Sequence, residues 1–160
     1  MTTDQIKYAS KVKNGFKFWV GMLWRLPSVA FWGIKVKDID ESSCTVALPF
    51  SWRTQNPFRS AYFGAQLGAG ELATGLLCQL HLAGRADHSM LVIDFSARFL
   101  KKATTTIRFV CDEGTQLKAA LDDLKQNGDT CTLVMHARGI DTNGVEVSNI
   151  TLTWSFKLRG

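Results

Sequence analysis

Proline is scarce in this chain, with three residues in 160, and none of them marks a glycine- or serine-rich linker. No internal repeat appears either. The sequence therefore reads as one domain, residues 1–160, long enough to bury a core, with a helical extension over about 4–26. The four cysteines, Cys44, Cys78, Cys111 and Cys131, stand far apart and offer no paired zinc spacing. Three fall in alternating apolar stretches, where a free thiol behaves as a small hydrophobe. A reducing compartment, the cytoplasm, is the simplest reading.

Long runs of one character are missing as well. No basic run exceeds Lys101-Lys102, so the net charge of +5 suits an anionic partner without identifying one. No nucleic-acid motif accompanies it, and nucleic acid is not expected as a partner. The apolar stretch Phe16 to Ile34 is broken by Lys17, Arg25 and Pro27, which argues against a membrane span. Its tryptophans and phenylalanines read as a packed amphipathic helix rather than as one lying on a membrane. Met1 to Gly15 is polar and of mixed charge, unlike a secretory signal. No Gly-x-Ser-x-Gly elbow occurs, which argues against an α/β-hydrolase.

What is present is a regular pattern of elements. Residues 4–26 read as helix, ended by Pro27. Phe31 to Ile39 and Cys44 to Trp52 read as strands around the turn Asp40-Glu41-Ser42-Ser43. A loop, Arg53 to Tyr62, leads into a helix from Phe63 to about Leu80, with Ala65, Ala69, Leu72, Leu76 and Leu80 at helical spacing. Ser89 to Lys101 and Thr104 to Asp112 read as two further strands, the first with Leu91, Ile93, Phe95, Ala97 and Phe99 on one face. A short helix carries Leu117, Ala120, Leu121 and Leu124, with Gly128 as its stop. Thr130 to Ile140 and Val145 to Leu158 flank Asn143-Gly144, a hairpin signal. The order αββαββαββ predicts an α+β fold, an antiparallel sheet around one long, mostly buried helix.

That helix contains Gly68, Gly70 and Gly75 in its interior, each costing about 0.8–1 kcal/mol relative to alanine. At 100° per residue, Gly64, Gly68 and Gly75 fall on the same side as Glu71. The lane implies close approach by another group, and a carboxylate within it suggests a site. The plainer reading of Glu71 is a helix carboxylate held by a structural hydrogen bond.

The spacing Asn56-x5-Tyr62-Phe63-Gly64-x6-Glu71 resembles the Asn-x5-His-Gly-Gly-x6-Asp pattern of hotdog-fold thioesterases of the phenylacetate-pathway (PaaI-like) branch. Pro27, Phe31-Trp32-Gly33-Ile34-Lys35-Val36 and the Asn56 loop are most similar to an uncharacterised branch, a domain of unknown function. The resemblance covers nearly the whole chain. It implies a hotdog fold and an acyl-CoA thioesterase without metal or redox cofactor, coenzyme A being part of the substrate. Tyr62 and Phe63 replace the family's His-Gly, so any role of that histidine is lost. A backbone N–H needs no particular side chain, and an oxyanion donor at Phe63 or Gly64 survives the change.

The chemistry follows from the residue types. A helix N-terminus near Phe63 and Gly64 supplies unpaired N–H groups and a positive dipole end. Glu71 is the candidate base or nucleophile, the two roles being indistinguishable in sequence. Asn56 is a candidate partner for the water or the thioester carbonyl; taken alone, before Pro57, it is a turn residue. Tyr62, Thr74 and Ser89 are candidates for lining the pocket, with His88 beside Ser89. Arg98, Lys101 and Lys102 are candidates for the coenzyme A phosphates, or else a solvated strand end. His81 and His136 read as structural, and no metal site is expected.

Phe63 and Glu71 stand eight residues apart, roughly 12 Å along a helix at 1.5 Å per residue. One helix does not easily bring both to one carbon, whereas two antiparallel helices from paired subunits do. A homodimer or dimer of dimers is therefore expected, as the resemblance also implies. A non-catalytic acyl-CoA or fatty-acyl binding protein is the alternative. A hotdog hydratase needs a histidine paired with the carboxylate, and none lies between Met1 and Leu80.

Overall fold

The structure, a computed structural model, describes residues 1–159. Three helices open it: α1 (Thr3–Lys13), α2 (Gly15–Arg25) and α3 (Pro27–Trp32). The single helix expected over 4–26 is thus divided. Asn14 leaves helical geometry at φ −75°, ψ 100°, and its side chain accepts a hydrogen bond from the Lys17 N–H, capping α2. Pro27 begins α3 rather than only ending the preceding helix, because a proline at the first helical position gives up no intrahelical hydrogen bond. Gly33, at φ +70°, closes α3 in left-handed geometry. Phe31 and Trp32 are accordingly helical, and the first strand is shorter than expected.

Six strands follow: β1 (Lys35–Ile39), β2 (Cys44–Leu48), β3 (His88–Phe99), β4 (Ile107–Cys111), β5 (Thr130–Ile140) and β6 (Glu146–Leu158). They form one sheet in the order β1-β2-β4-β5-β6-β3, antiparallel at every pairing. Between β2 and β3 runs α4 (Phe63–Leu82), and α5 (Gly114–Asp122) joins β4 to β5. The helix α4 packs in the concave face of the sheet. Ala65, Ala69, Leu72, Ala73, Leu76, Leu77, Cys78 and Leu80 on it are buried against Val46, Phe109, Met135 and Phe156. Such all-round burial explains why its apolar residues do not keep to one stripe.

Three local expectations are corrected. The chain β3 carries a bulge between Val92 and Asp94, so strict alternation fails. Met90 and Val92 pair with Phe156 and Trp154, and after the bulge Phe95 and Ala97 pair with Leu152 and Ile150. Leu91 and Ile93 therefore leave the inward set and are exposed. The helix α5 ends at Asp122, and Gly128, at φ +94°, serves the turn into β5 instead of capping it. The strand expected to run to Trp52 stops at Leu48, and the tight turn after it leaves Trp52 in solvent.

Candidate functional site

The glycine lane on α4 exists, and aromatic rings of the same chain fill it. A Cβ added at Gly68 would stand 2.6 Å from Trp32 Cζ3, and one at Gly64 would stand 2.5 Å from Tyr62 Cε1. At Gly75 the nearest atoms are those of the Trp154 ring and Glu71 Oε1, at ordinary contact distance. Gly70 faces the sheet, where a Cβ would meet Ile150 Cδ1 at 2.6 Å. The conformational cost of these glycines is offset by close packing of Trp32, Tyr62 and Ile150.

Glu71 lies between two cavities and belongs to the walls of both. The larger, about 700 Å³, separates α1 and α2 from α4 and is bounded by Tyr8, Phe18, Arg25, Gly75 and Trp154. The smaller, about 280 Å³, is almost wholly apolar and lies among Val29, Trp32, Gly68, Phe95 and Ile150. Among the described residues no hydrogen bond or ion pair reaches the half-buried Glu71 carboxylate. Burial alone raises its pKa above the usual glutamate value, since no cation compensates the ionised form. Burial likewise raises the Tyr8 hydroxyl on the opposite wall, keeping it a neutral donor. The plainer reading of Glu71 as a structurally bonded carboxylate finds no partner.

Thr74, expected to line the pocket, is fully buried behind the helix. Its hydroxyl donates to the Glu71 carbonyl at 3.0 Å and accepts from Trp154 Nε1 at 3.0 Å. It supports the turn carrying Glu71 without facing either cavity.

Asn56 is held within its own loop. Its Oδ1 accepts from the N–H groups of Phe58 and Ser60 at 3.0 and 3.2 Å, and its Nδ2 donates to Ser60 Oγ at 3.1 Å. This is the turn chemistry of an asparagine side chain. The loop delivers Tyr62 to the start of α4, where no side chain caps the helix. The N–H groups of Phe63, Gly64 and Ala65 consequently have no intrahelical acceptor. A third cavity, about 400 Å³, opens beside them and is lined by Asn56, Phe63, Gln66, Phe99, Lys101 and Lys102. Gln66 is buried with Nε2 bonded to the Ala61 carbonyl and Oε1 unpartnered.

The candidate residues thus fall into two groups within one protomer. Glu71 faces the cavities beneath α2 and α3, while Asn56, Phe63, Lys101 and Lys102 share the cavity at the start of α4. Arg98 is exposed on β3 opposite Asn149, outside both groups. Ser89 lies opposite Lys157, also away from Glu71, and His88 borders a separate hollow with Tyr8 and Arg85. His81 is buried, and its Nε2–H donates to the Glu41 carbonyl at 2.9 Å; His136 Nδ1 meets Glu113 Oε1 at 2.7 Å. Tyr8, Phe18, Arg25, Trp32 and Trp154 around Glu71 were invisible as site residues. They come from segments distant in sequence, and Trp154 alternates with Leu152 and Phe156 as an ordinary inward strand residue does.

The model of a domain of unknown function, DUF4442, matches residues 16–156. No curated protein sequence matches the chain. Among solved structures, a thioesterase from Haemophilus influenzae is similar with a TM-score of 0.67 at 17% identity, over 87% of this chain and 88% of that one. A Pseudomonas aeruginosa protein named a probable thioesterase gives 0.74 at 15% identity, over 90% and 96%. A thioesterase from Staphylococcus aureus, solved as a glutamine-to-alanine variant, gives 0.63 at 14% identity, over 81% and 97%. A glutamate-to-alanine variant of that staphylococcal protein is also similar. These likenesses establish the fold as the hotdog fold. No helix among the described residues is long and apolar enough to cross a membrane.

Proposed function

Because the chain belongs to the DUF4442 family and has the hotdog fold of thioesterases, we propose that it hydrolyses acyl thioesters, acyl-CoA being the substrate tested first. The observation that carries the proposal is Glu71, a half-buried carboxylate without a partner, placed where two cavities meet. A carboxylate left unpaired in such surroundings is costly for folding, and its raised pKa makes it a stronger base once ionised. It either takes the proton of a water that attacks the thioester carbon or attacks that carbon itself. The oxyanion that forms is met by the free N–H groups of Phe63 and Gly64, and the thiolate leaves as the carbonyl re-forms, taking up the proton that Glu71 gained on the first route; on the second, water then hydrolyses the acyl-Glu71 anhydride and frees the acid.

Glu71 and those N–H groups face different cavities in one protomer, so the complete site requires two copies with antiparallel α4 helices. The edge strand β3 favours such pairing. It has β6 on one side only and exposes Leu91, Ile93, Phe95 and Phe99. A long apolar edge of this kind is a template for association. Light scattering is expected to give a dimer or a dimer of dimers; a monomer at working concentration removes the two-copy site. Three buried, unpaired cysteines, Cys44, Cys78 and Cys111, fit a cytoplasmic location, with burial raising the Cys111 thiol to about 12.

A second reading, a non-catalytic acyl-CoA or fatty-acyl binding protein, is favoured by Tyr62, whose ring lies on Gly64 at the oxyanion position. Hydrolysis of a graded acyl-CoA panel, followed by thiol release and paired with binding measurements, separates the two. Glu71→Gln should lower turnover by at least ~10², the scale of a positioned base. Binding without turnover in the native chain establishes the second reading instead.

A further inference from the structure

The sequence treats Phe16 to Arg25 as a helix packed on the domain, yet α2 packs through one face only. Phe18 is buried, and Gly21, Met22 and Arg25 line the large cavity opposite Glu71. The other face presents Phe16, Trp19, Val20, Leu23 and Trp24, which fall within an arc of roughly 140° at 100° per residue. All five are exposed, Phe16 at 76% and Trp24 at 88%. This is an unpartnered apolar helix face, beyond the scattered single hydrophobes of an ordinary surface.

The charge around it narrows the occupant. From residue 5 to residue 37 the sequence contains seven lysines and arginines and no aspartate or glutamate. Among the described residues Lys11, Lys17 and Arg25, all exposed, enter no ion pair; they rim the large cavity, and Lys17 also borders the apolar face. A second copy docking through the same face would set this basic belt against itself. An anionic surface complements it. Tryptophan and phenylalanine over a helix of 11 residues, flanked by cations, suit a helix lying in the plane of a lipid interface, too short to span one.

We propose that α2 docks the protein on anionic phospholipid bilayers, with Phe16, Trp19, Leu23 and Trp24 entering the headgroup boundary and Lys17, beside Trp24 at the edge of that face, meeting the lipid phosphates. Since the inner face of α2 walls the Glu71 cavity, docking places that cavity beside the bilayer. The proposal stands whether or not Glu71 is catalytic.

The test is flotation of the full chain with vesicles of phosphatidylcholine alone or mixed with phosphatidylglycerol, at low and high salt. The native protein is expected to float with the anionic vesicles, about tenfold less with neutral ones, and less at high salt. Its tryptophan emission should shift to the blue on binding. The double variant Phe16→Ser/Trp24→Ser should lose binding by about tenfold or more while keeping its thermal midpoint and oligomeric state, because neither side chain is packed. A native protein that stays unbound on phosphatidylglycerol vesicles overturns the proposal, as does equal binding by the variant. A variant that instead loses its oligomeric state, with vesicle binding unchanged, assigns the face to a second copy and also overturns it.

Discussion

Trp154 Nε1 donates a hydrogen bond to Thr74 Oγ1 across 3.0 Å, and both groups are buried between α4 and β6. The same hydroxyl donates to the Glu71 carbonyl, so the last strand of the sheet is tied to the backbone of the candidate catalytic turn. The carbonyl is held while the carboxylate of the same residue is left free.

Thr74→Val removes the hydroxyl at nearly constant volume and leaves the indole N–H without an acceptor. A buried donor stripped of its partner costs about 1–3 kcal/mol. Denaturant unfolding should show a loss of that size. An unchanged midpoint would mean that the Trp154 ring finds another acceptor or that the bond contributes nothing.

Gly114 makes a different kind of contact. A Cβ there would stand 1.9 Å from the Glu41 carbonyl oxygen, and the Gly114 N–H donates to the Ser42 carbonyl at 3.0 Å. Backbone meets backbone, so no rotamer relieves the clash. Gly114→Ala should destabilise by about 3 kcal/mol or more, at the upper end of overpacking costs. Gly15→Ala, where nothing lies within 4 Å, should leave the thermal midpoint nearly unchanged. Equal midpoints for the two variants would contradict the close approach of the β1–β2 turn to α5.

The sheet and its central helix were legible because their signals are local. Alternation marks β5 and β6, Asn143-Gly144 marks their turn, and α4 appears at its observed start. Elsewhere tertiary context overrides pattern. The bulge in β3 redirects Leu91 and Ile93 although the sequence alternates without a break. Pro27 stops one helix and opens another, and position alone does not say which. Spacing marks Glu71 as a candidate, whereas Trp32 and Trp154 line the same cavities from segments far from it in sequence. Thr74 lies one turn beyond Glu71, yet its hydroxyl turns inward to Trp154. Asn56 shows why spacing does not fix a role: its side chain is committed to its own turn.

Lys101 and Lys102 border the cavity at the start of α4 and are exposed. Replacing both with alanine should weaken acyl-CoA binding several-fold at low salt and much less at high salt, because ions screen exposed charges over roughly 10 Å at 0.1 M. Calorimetric titration at two ionic strengths checks this. An equal affinity at both, with or without the lysines, would return them to the solvated surface.

Glu71 makes a pH prediction whose sign is fixed by its surroundings. Burial raises its pKa in the folded chain above the unfolded value of about 4.3. The folded state therefore holds a proton that the unfolded state has released. The stability associated with that proton is fully present below the unfolded pKa and is lost as pH rises through the folded one. Glutamine has no proton to lose. Glu71→Gln should match or exceed the native thermal midpoint near neutral pH, with the gap closing as the pH falls towards about 4. Turnover should move in the opposite sense, rising with pH as Glu71 ionises, with a midpoint above that of an ordinary glutamate. The two measurements probe one group from two sides. A variant that loses several degrees at neutral pH would reveal a structural partner for the carboxylate. A native rate that stays flat through the pH range where the stability gap opens would separate Glu71 from the chemistry.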